Sequence, residues 1–314
     1  MDYGNAGGRS DGHLLRIGNV VVDRRFLTRV LAVNNGKGGV GKTTVSVHMG
    51  GLAAAAGYRV CIVDFDVQGN VALDLGVEHL SDDGAALLTA VITGGAPAVV
   101  ENVRPNLDIV CGGPMLAGLE SALTGVAEQA RERLAGQMRI AQVLQQIAPR
   151  YDLVVLDCPP NKRGVPILSA AQFVLAPTHS DAASIKGLSL LAKDFTEARE
   201  VNPGLELLGV VLYGTTPGAT VIAAEAAADI NAALEGAAPL MGTTVRHVES
   251  VARKIRQTGK LAHELEASIL DVAQLRGTKP RAGSTATLAG DLQALTGEVL
   301  GRFNARVLEL EAVA

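Results

Sequence analysis

Short apolar runs alternate with segments of helical periodicity from residue 29 onward. Continuous apolar runs of this length are typical of strands that are buried on both faces of a parallel sheet. Because helical segments separate the runs, the pattern predicts an α/β fold with a doubly wound, mostly parallel sheet flanked by helices. The predicted strands cover residues 29–34, 59–64, 107–111, 152–157, 172–177 and 205–212.

Helical periodicity is clearest in two segments between these runs. One follows a glycine-rich turn directly, where Val45, Met49 and Leu52 share a face. The other carries apolar residues at positions i, i+3, i+4 and i+7, namely Ile140, Val143, Leu144 and Ile147. Near the end, residues 276–287 predict a mobile loop before a last helix that starts near Leu288.

The ends of this alternation set the expected domain limits. Residues 1–27 begin with a polar, glycine-rich stretch and are expected to be a flexible N-terminal tail. Residues 28–314 are expected to form a single domain that ends in a C-terminal helix. With 48% hydrophobic residues in 314, the chain can bury a substantial core.

Charge, hydropathy and cysteine content narrow the functional classes. The net charge of -4 means that any nucleic-acid contact needs a local basic patch. No apolar run reaches the roughly 18 residues that a membrane span requires, and the polar N-terminus lacks the apolar region of a signal peptide. Cys61, Cys111 and Cys158 form no CxxC pair, so we expect buried, reduced thiols in a cytoplasmic protein.

The glycine-rich turn predicts a phosphate-binding loop. Residues 36–43, GKGGVGKT, satisfy the pattern G-x-x-x-x-G-K-[ST] between an apolar run and a helix. Glycines let backbone N–H groups surround phosphate oxygens, Lys42 would neutralise the β and γ phosphates of ATP, and Thr43 would bind Mg²⁺. The predicted nucleotide-binding residues of the loop are Gly36, Lys37, Gly38, Gly39, Val40, Gly41, Lys42, Thr43 and Thr44.

Carboxylates at two other strand ends complete the expected magnesium site. Asp157 follows an apolar run and precedes two prolines, whereas Asp64 and Asp66 alternate in VDFDVQGN. Beside Mg²⁺ and ATP, such carboxylates order the waters of the metal or orient the attacking water. The predicted metal-site residues are therefore Thr43, Asp64, Asp66 and Asp157.

Three motifs together resemble the ParA/MinD family of deviant Walker A ATPases over about residues 29–275. KGGVGKTT resembles the family's deviant Walker A motif, DFDVQGN its D-x-D-P-Q-G-N motif with Val67 in place of proline, and LDCPP its D-x-P-P motif. The resemblance implies a dimer closed face to face over two ATP molecules. Lys37 would cross to the partner's phosphates, Lys42 would serve its own site, and Asp66 would position the lytic water. Lys37, Lys42 and Asp66 are therefore the implied catalytic residues.

The adenine pocket is less clearly marked. Residues 177–188, PTHSDAASIKGL, differ from the P-x-Q-x-E of many partition proteins. Residues 212–220 lack the acidic and arginine residues that often follow that strand. Tyr213 is the candidate for the adenine contact.

Basic residues concentrate in the segment 245–260. Val248, Val251 and Ile255 give it a helical apolar face, and it resembles the partition-protein segment P-x-x-V-R-L-S-E-A-P-S-x-G, with Arg246 and Glu249 at matching positions. The resemblance implies salt-sensitive, sequence-independent DNA contact. The alternative is a solvated helix face with an i,i+4 pair between Glu249 and Arg253. The candidate DNA-binding residues are Arg246, Arg253, Lys254, Arg256 and Lys260.

The resemblance thus implies a slow DNA partition ATPase for a plasmid, a phage or a chromosome. ATP-bound homodimers would bind double-stranded DNA of the nucleoid and leave it when a ParB-like centromere-binding protein stimulates hydrolysis. One alternative is a MinD-like ATPase that acts on a membrane or on a protein cargo. The C-terminal segment is neutral to acidic, however, and is expected to pack on the domain. No membrane partner is therefore expected. A metallocluster carrier and an ATP-binding switch with little hydrolysis are further alternatives.

Overall fold

The computed structural model describes residues 13–124, 130–160, 164–215, 239–276 and 283–313. The strands are β1 Leu14–Ile17, β2 Val20–Asp23, β3 Val30–Val33, β4 Val60–Asp64, β5 Val100–Arg104, β6 Leu107–Val110, β7 Leu153–Asp157, β8 Phe173–Thr178, β9 Glu206–Thr215 and β10 Val245–Arg246. The α-helices are α1 Lys42–Ala55, α2 Asn70–Asp74, α3 Ala85–Thr93, α4 Leu119–Thr124, α5 Ala130–Leu144, α6 Gly164–Leu168, α7 Ala182–Ala198, α8 Glu249–Thr258, α9 Ala262–Leu275 and α10 Ser284–Val313.

Within the described residues, eight strands form one sheet in the order β10-β9-β8-β3-β7-β4-β6-β5. Its pairs are parallel except for the antiparallel β5–β6 pair. The predicted fold class is confirmed, and each of the six predicted strands is present. The largest difference in bounds is at β9, which continues three residues beyond the predicted end at 212.

Apolar residues on successive positions of the central strands enter two different cores. In β3, Val30 and Ala32 belong to one buried cluster, whereas Leu31 and Val33 belong to the other. Side chains alternate across a strand, so a run without polar residues requires helices on both faces of the sheet. Helix α5 lies over the first face, and helices α1 and α10 lie over the second.

The N-terminal segment differs from the expected tail. Residues 1–12 lie outside the described residues, but β1 and β2 form an antiparallel hairpin, and Val20, Val22 and Leu27 are fully buried in the first core. The side chain of Gln145 on the segment after α5 accepts a hydrogen bond from Asp23 N (2.8 Å) and donates one to Val21 O (2.8 Å). Residues 13–27 are therefore part of the folded domain.

The C-terminal helix starts earlier than predicted. Of the predicted loop at 276–287, residues 277–282 lie outside the described residues, and α10 already begins at Ser284. Its apolar side packs on the sheet and on α1, and the Phe303 ring meets Phe173 edge to face with 5.4 Å between centroids. The predicted packing of this helix on the domain is confirmed. No helix in the described part of the chain has the length and apolar character of a membrane span.

Candidate functional site

The predicted phosphate loop lies between β3 and α1, at the carboxyl edge of the sheet. Gly39 and Gly41 have φ angles of 76° and 89°, in the left-handed region that favours glycine. A Cβ on Gly41 would lie 2.7 Å from the ring of Tyr213. The loop is therefore fixed both by its backbone angles and by the aromatic ring behind it, and its last turn opens into the N-terminus of α1, which favours anions.

Lys42 occupies the inside of the loop. Its buried ammonium donates hydrogen bonds to the carbonyl oxygens of Lys37 (2.8 Å) and Asn35 (3.2 Å). Burial lowers the pKa of Lys42, and the carboxylates of Asp157 and Asp66 oppose that shift. The amine is thus held at the centre of the loop, where it can exchange these carbonyls for phosphate oxygens.

Asp157 lies beneath the first turn of α1. Its carboxylate accepts hydrogen bonds from Thr43 Oγ1 (2.7 Å) and Ser46 Oγ (2.8 Å). Burial raises the pKa of Asp157 to about 6, although both hydroxyl contacts act in the opposite direction. The predicted pair of Thr43 and Asp157 is therefore brought together. The hydroxyl of Ser46 also contacts Asp157, and no sequence motif indicated this residue.

Asp64 and Asp66 have different surroundings. Asp64 pairs in register with Asp157 across β4 and β7, and its side chain accepts hydrogen bonds from Asp66 N (2.8 Å) and Val71 N (3.2 Å). Burial and the neighbouring Asp157 raise its pKa. Asp66 accepts a hydrogen bond from Gln68 N (3.0 Å) and faces the open cavity. Asp64 therefore shapes the turn that presents Asp66 to the site.

The donor set at this edge fits magnesium bound together with a phosphate ligand. No group of three His, Cys, Asp or Glu side chains in the described ranges is arranged to hold a metal by itself. Mg²⁺ usually takes one or two protein oxygens and completes its shell with phosphate and water. The Thr43 hydroxyl and the buried, mutually repelling carboxylates of Asp64 and Asp157 match that requirement, because a dication offsets their charge.

Lys37 points away from the interior of the loop. Its Nζ contacts Asp181 Oδ1 (2.8 Å) and Ser184 Oγ (2.9 Å) at the start of α7. Hydrogen bonding to Lys37 lowers the pKa of Asp181, and that side chain is 49% exposed. A Cβ on Gly187 would lie 3.1 Å from Lys37 Cβ, so the glycine allows α7 to approach the loop. The two lysines of the loop therefore have separate surroundings, and Asp181 and Ser184 were not identified from the sequence.

A cavity of about 480 Å³ extends from the phosphate loop to α8. Asp66, Asn70 and Asp74 line one side, and residues of α8 that include Arg253 and Arg256 line the other. Tyr213 borders the cavity from behind Gly41 and is almost fully buried between the rings of His179 and His247, with centroid separations of 5.8 and 6.2 Å. Its role in adenine binding stays a prediction.

The five predicted DNA-binding residues do not share one environment. Arg246 forms a two-pronged ion pair with Asp291, with two contacts of 2.7 Å, and Lys260 Nζ contacts Ser268 Oγ at 3.2 Å. Arg253 and Arg256 line the cavity, and Lys254 forms no ion pair with any described residue. The alternative Glu249–Arg253 pair is absent from the described contacts, because Glu249 instead contacts His247 at 3.1 Å.

Known proteins are similar to this chain in sequence and in fold. A family model described as an AAA domain matches residues 28–207, more than half of the chain. The chromosome partitioning protein ParA of Caulobacter vibrioides is 35% identical over 192 residues, which cover 59% of this chain and 68% of that protein.

Solved structures with low sequence identity share the fold. Apo McdA of Cyanothece superposes with a TM-score of 0.68 at 19% identity, covering 87% of this chain and 98% of that one. Cobyrinic acid a,c-diamide synthase of Mycobacterium smegmatis, solved with ADP and magnesium, superposes with a TM-score of 0.60 at 24% identity over 82% of this chain and 99% of that one. The family match and the ParA relative show that the chain belongs to the ParA/MinD family of deviant Walker A ATPases.

Proposed function

We propose that this chain is a DNA partition ATPase whose ATP-bound dimer binds DNA without sequence preference. A ParB-like centromere-binding partner then stimulates hydrolysis and releases the dimer. The observation that carries the proposal is the position of Lys37, whose amine lies on the outer side of the loop while Lys42 fills the inside. A single phosphate site makes no use of a lysine that points outward. A second subunit placed against this edge would use that lysine for its own phosphates.

In this proposal, the loop residues 36–44 and Lys42 hold the phosphates of ATP. Thr43 and Asp157 are placed to hold Mg²⁺, which when bound would neutralise charge on the phosphates. Asp64 maintains the turn, and Asp66 orients the attacking water from the wall of the cavity. Lys37 leaves Asp181 and reaches the phosphates of the partner subunit.

The membrane alternative lacks support from α10. Its apolar residues, which include Leu292, Val299 and Phe303, are buried against the sheet and α1. A helix that binds a membrane surface must expose such a face. In this proposal the ATPase acts in the cytoplasm on nucleoid DNA, with a plasmid, a phage or a chromosome as its cargo.

Binding to random-sequence duplex DNA is expected to require ATP and to weaken steeply with salt. Each lysine–phosphate contact releases counterions, so loss of one contact lowers the salt slope by about 1. Lys254 tests this contact best because it has no ion pair among the described residues and lies outside the cavity lining. We expect Lys254→Ala to weaken DNA binding at low salt without a change in ATP affinity.

Arg16→Ala, an exposed charge on the β1–β2 hairpin, is the matched control for this measurement. Fluorescence anisotropy with ATP, with ADP and without nucleotide, each at two salt concentrations, makes the comparison. DNA binding that is equal in all three nucleotide states would contradict the proposed gating. A dimer that forms with ATP but binds no DNA would shift the proposal to a protein cargo.

Replacing Asp66 is expected to stop hydrolysis and to preserve the ATP-bound dimer. Asp66→Asn keeps the oxygen that accepts from Gln68 N and removes only the negative charge, whereas Asp66→Ala removes both. If the charge orients water, both variants should lose about 100-fold or more in phosphate release, within the range of general-base effects. Unchanged turnover in Asp66→Asn would remove this carboxylate from the mechanism.

A further inference from the structure

Asp74 is a buried carboxylate without a hydrogen bond at one of its oxygens. Its side chain is 8% exposed, and Oδ1 has no hydrogen-bond partner. The nearest cationic atom is Arg256 Nε, at 3.4 Å, which is an ion pair but lies beyond the usual range of an N–H···O bond. A buried acceptor left in this way carries a free-energy cost that a ligand donor removes.

The position of Asp74 does not suit a helix-capping role. It is the last residue of α2, where the helix dipole disfavours negative charge. Its ion-pair partner Arg256 is 60% exposed, so solvent weakens that pair. Burial raises the pKa of Asp74, and the nearby Arg256 opposes that shift only in part.

The segment that carries Asp74 is held firmly against α8. Gly76 follows α2 and Gly259 follows α8, and both have positive φ angles. A Cβ on Gly76 would lie 2.7 Å from the Cα of Gly259, so the two backbones are in direct contact. The carboxylate therefore has a fixed position relative to both walls of the cavity.

The same cavity contains the phosphate loop, so its ligand can be assigned by chemistry. Lys42, Thr43 and Asp74 all line this one cavity. When the phosphates of a nucleotide occupy the loop, its sugar and base occupy the rest of the cavity. A carboxylate accepts hydrogen bonds but does not donate them, so its partner must be a hydroxyl or an amine of the nucleoside.

We propose that Asp74 is a specificity residue that accepts a hydrogen bond from a sugar hydroxyl or the base amine of the bound nucleotide. This proposal rests on the proposed function only in taking ATP as the ligand, and it does not depend on DNA binding or dimerisation. Arg256 holds the carboxylate until the nucleoside arrives, and the new donor then satisfies Oδ1. Asp74 touches the substrate but takes no part in the transfer of the phosphate.

The test compares nucleotides that differ by one donor. Affinities of the full chain with Mg²⁺ are measured calorimetrically for ATP, 2′-deoxy-ATP, 3′-deoxy-ATP, purine riboside triphosphate and inorganic tripolyphosphate. We expect the wild type to bind the ligand that lacks the relevant donor about tenfold more weakly than ATP. A difference with a deoxy sugar identifies a hydroxyl, and a difference with purine riboside triphosphate, which lacks only the amine, identifies the base amine.

Asp74→Ala and Asp74→Leu, which both lack an acceptor, then decide whether this discrimination belongs to Asp74. Asp74→Ala should lose about tenfold in ATP affinity and bind ATP and the discriminated analogue equally, while its tripolyphosphate affinity stays equal or rises. Glu78→Gln, a charge removal at an exposed carboxylate outside the cavity lining, should keep the discrimination. Asp74→Leu has nearly the same shape but no acceptor and, if it folds where the alanine variant does not, replaces that variant in this comparison.

Two results would overturn the proposal. One is unchanged discrimination between ATP and its analogues in the Asp74 variants. The other is an equal loss of ATP and tripolyphosphate affinity, which would place the effect on the phosphates. Failure of the wild type to bind either ATP or tripolyphosphate would instead contradict the assignment of the phosphate loop, and intact ATP recognition without DNA binding would contradict only the partition function.

Discussion

Replacing Lys42 with alanine is expected to abolish the binding of Mg²⁺–ATP at ordinary nucleotide concentrations. The substitution removes the buried cation at the centre of the loop and leaves the carbonyl oxygens of Asn35 and Lys37 to repel phosphate. Truncation of one partner of a buried, hydrogen-bonded charge pair costs about 2–5 kcal/mol, which corresponds to a loss of roughly 30-fold to more than 1,000-fold in affinity.

Calorimetric titration with Mg²⁺–ATP measures this loss. Lys186→Ala, on the exposed side of α7, removes an equal charge near the loop and should bind ATP as the wild type does. The thermal midpoint of each variant without nucleotide checks that the fold is retained. Tight ATP binding by Lys42→Ala would refute the assignment of this loop to phosphate.

Replacing Lys37 with alanine is expected to separate nucleotide binding from dimer formation. The Lys37 amine faces Asp181 and Ser184 and lies outside the loop interior, so its removal should change ATP affinity by less than about fivefold. The partner subunit would lose the cation that reaches its phosphates, so the ATP-dependent dimer should not form. Light scattering with ATP and with ADP measures the dimer directly.

Asp181→Asn is the matched control for Lys37→Ala. This variant weakens the ion pair within the subunit but keeps the lysine, so it should still dimerise with ATP. If Asp181→Asn also fails to dimerise, then the link between the loop and α7 matters more than the reach of the amine. If Lys37→Ala dimerises normally, the outward lysine has no role across the interface.

The sequence predicted those parts of the fold and site that depend on local order. Apolar runs with helices between them identified the parallel sheet, because burial on both faces leaves a signal in each strand. The phosphate loop was equally clear, since its strand, turn and helix follow one another in the chain. Asp157 was indicated by the apolar run that it ends, because parallel strands bring their carboxyl ends to one edge of the sheet. The structure brings these two predicted residues together, with Thr43 Oγ1 at 2.7 Å from Asp157 Oδ2.

Other features depend on how distant segments approach one another. The β1–β2 hairpin looked like a tail because its short valine run is completed only by packing on residues near 145. The contact of Lys37 with Asp181 requires α7 to approach at Gly187, 150 residues after the loop. From the sequence alone, helix α8 was interpreted as a basic surface. Its packing against α2 shows that Arg253 and Arg256 line the cavity.

The position of α1 between the sheet and α10 has a consequence for the synthesis of the protein. The strand before the phosphate loop pairs with β7 and β8, and α1 is covered by residues 284–313. His48 of α1 also accepts a hydrogen bond from Ala262 N at 3.1 Å. A nascent chain therefore carries the whole phosphate motif before the segments that pack around it have been made, and we expect stable ATP binding only after residues 284–313 have joined the fold.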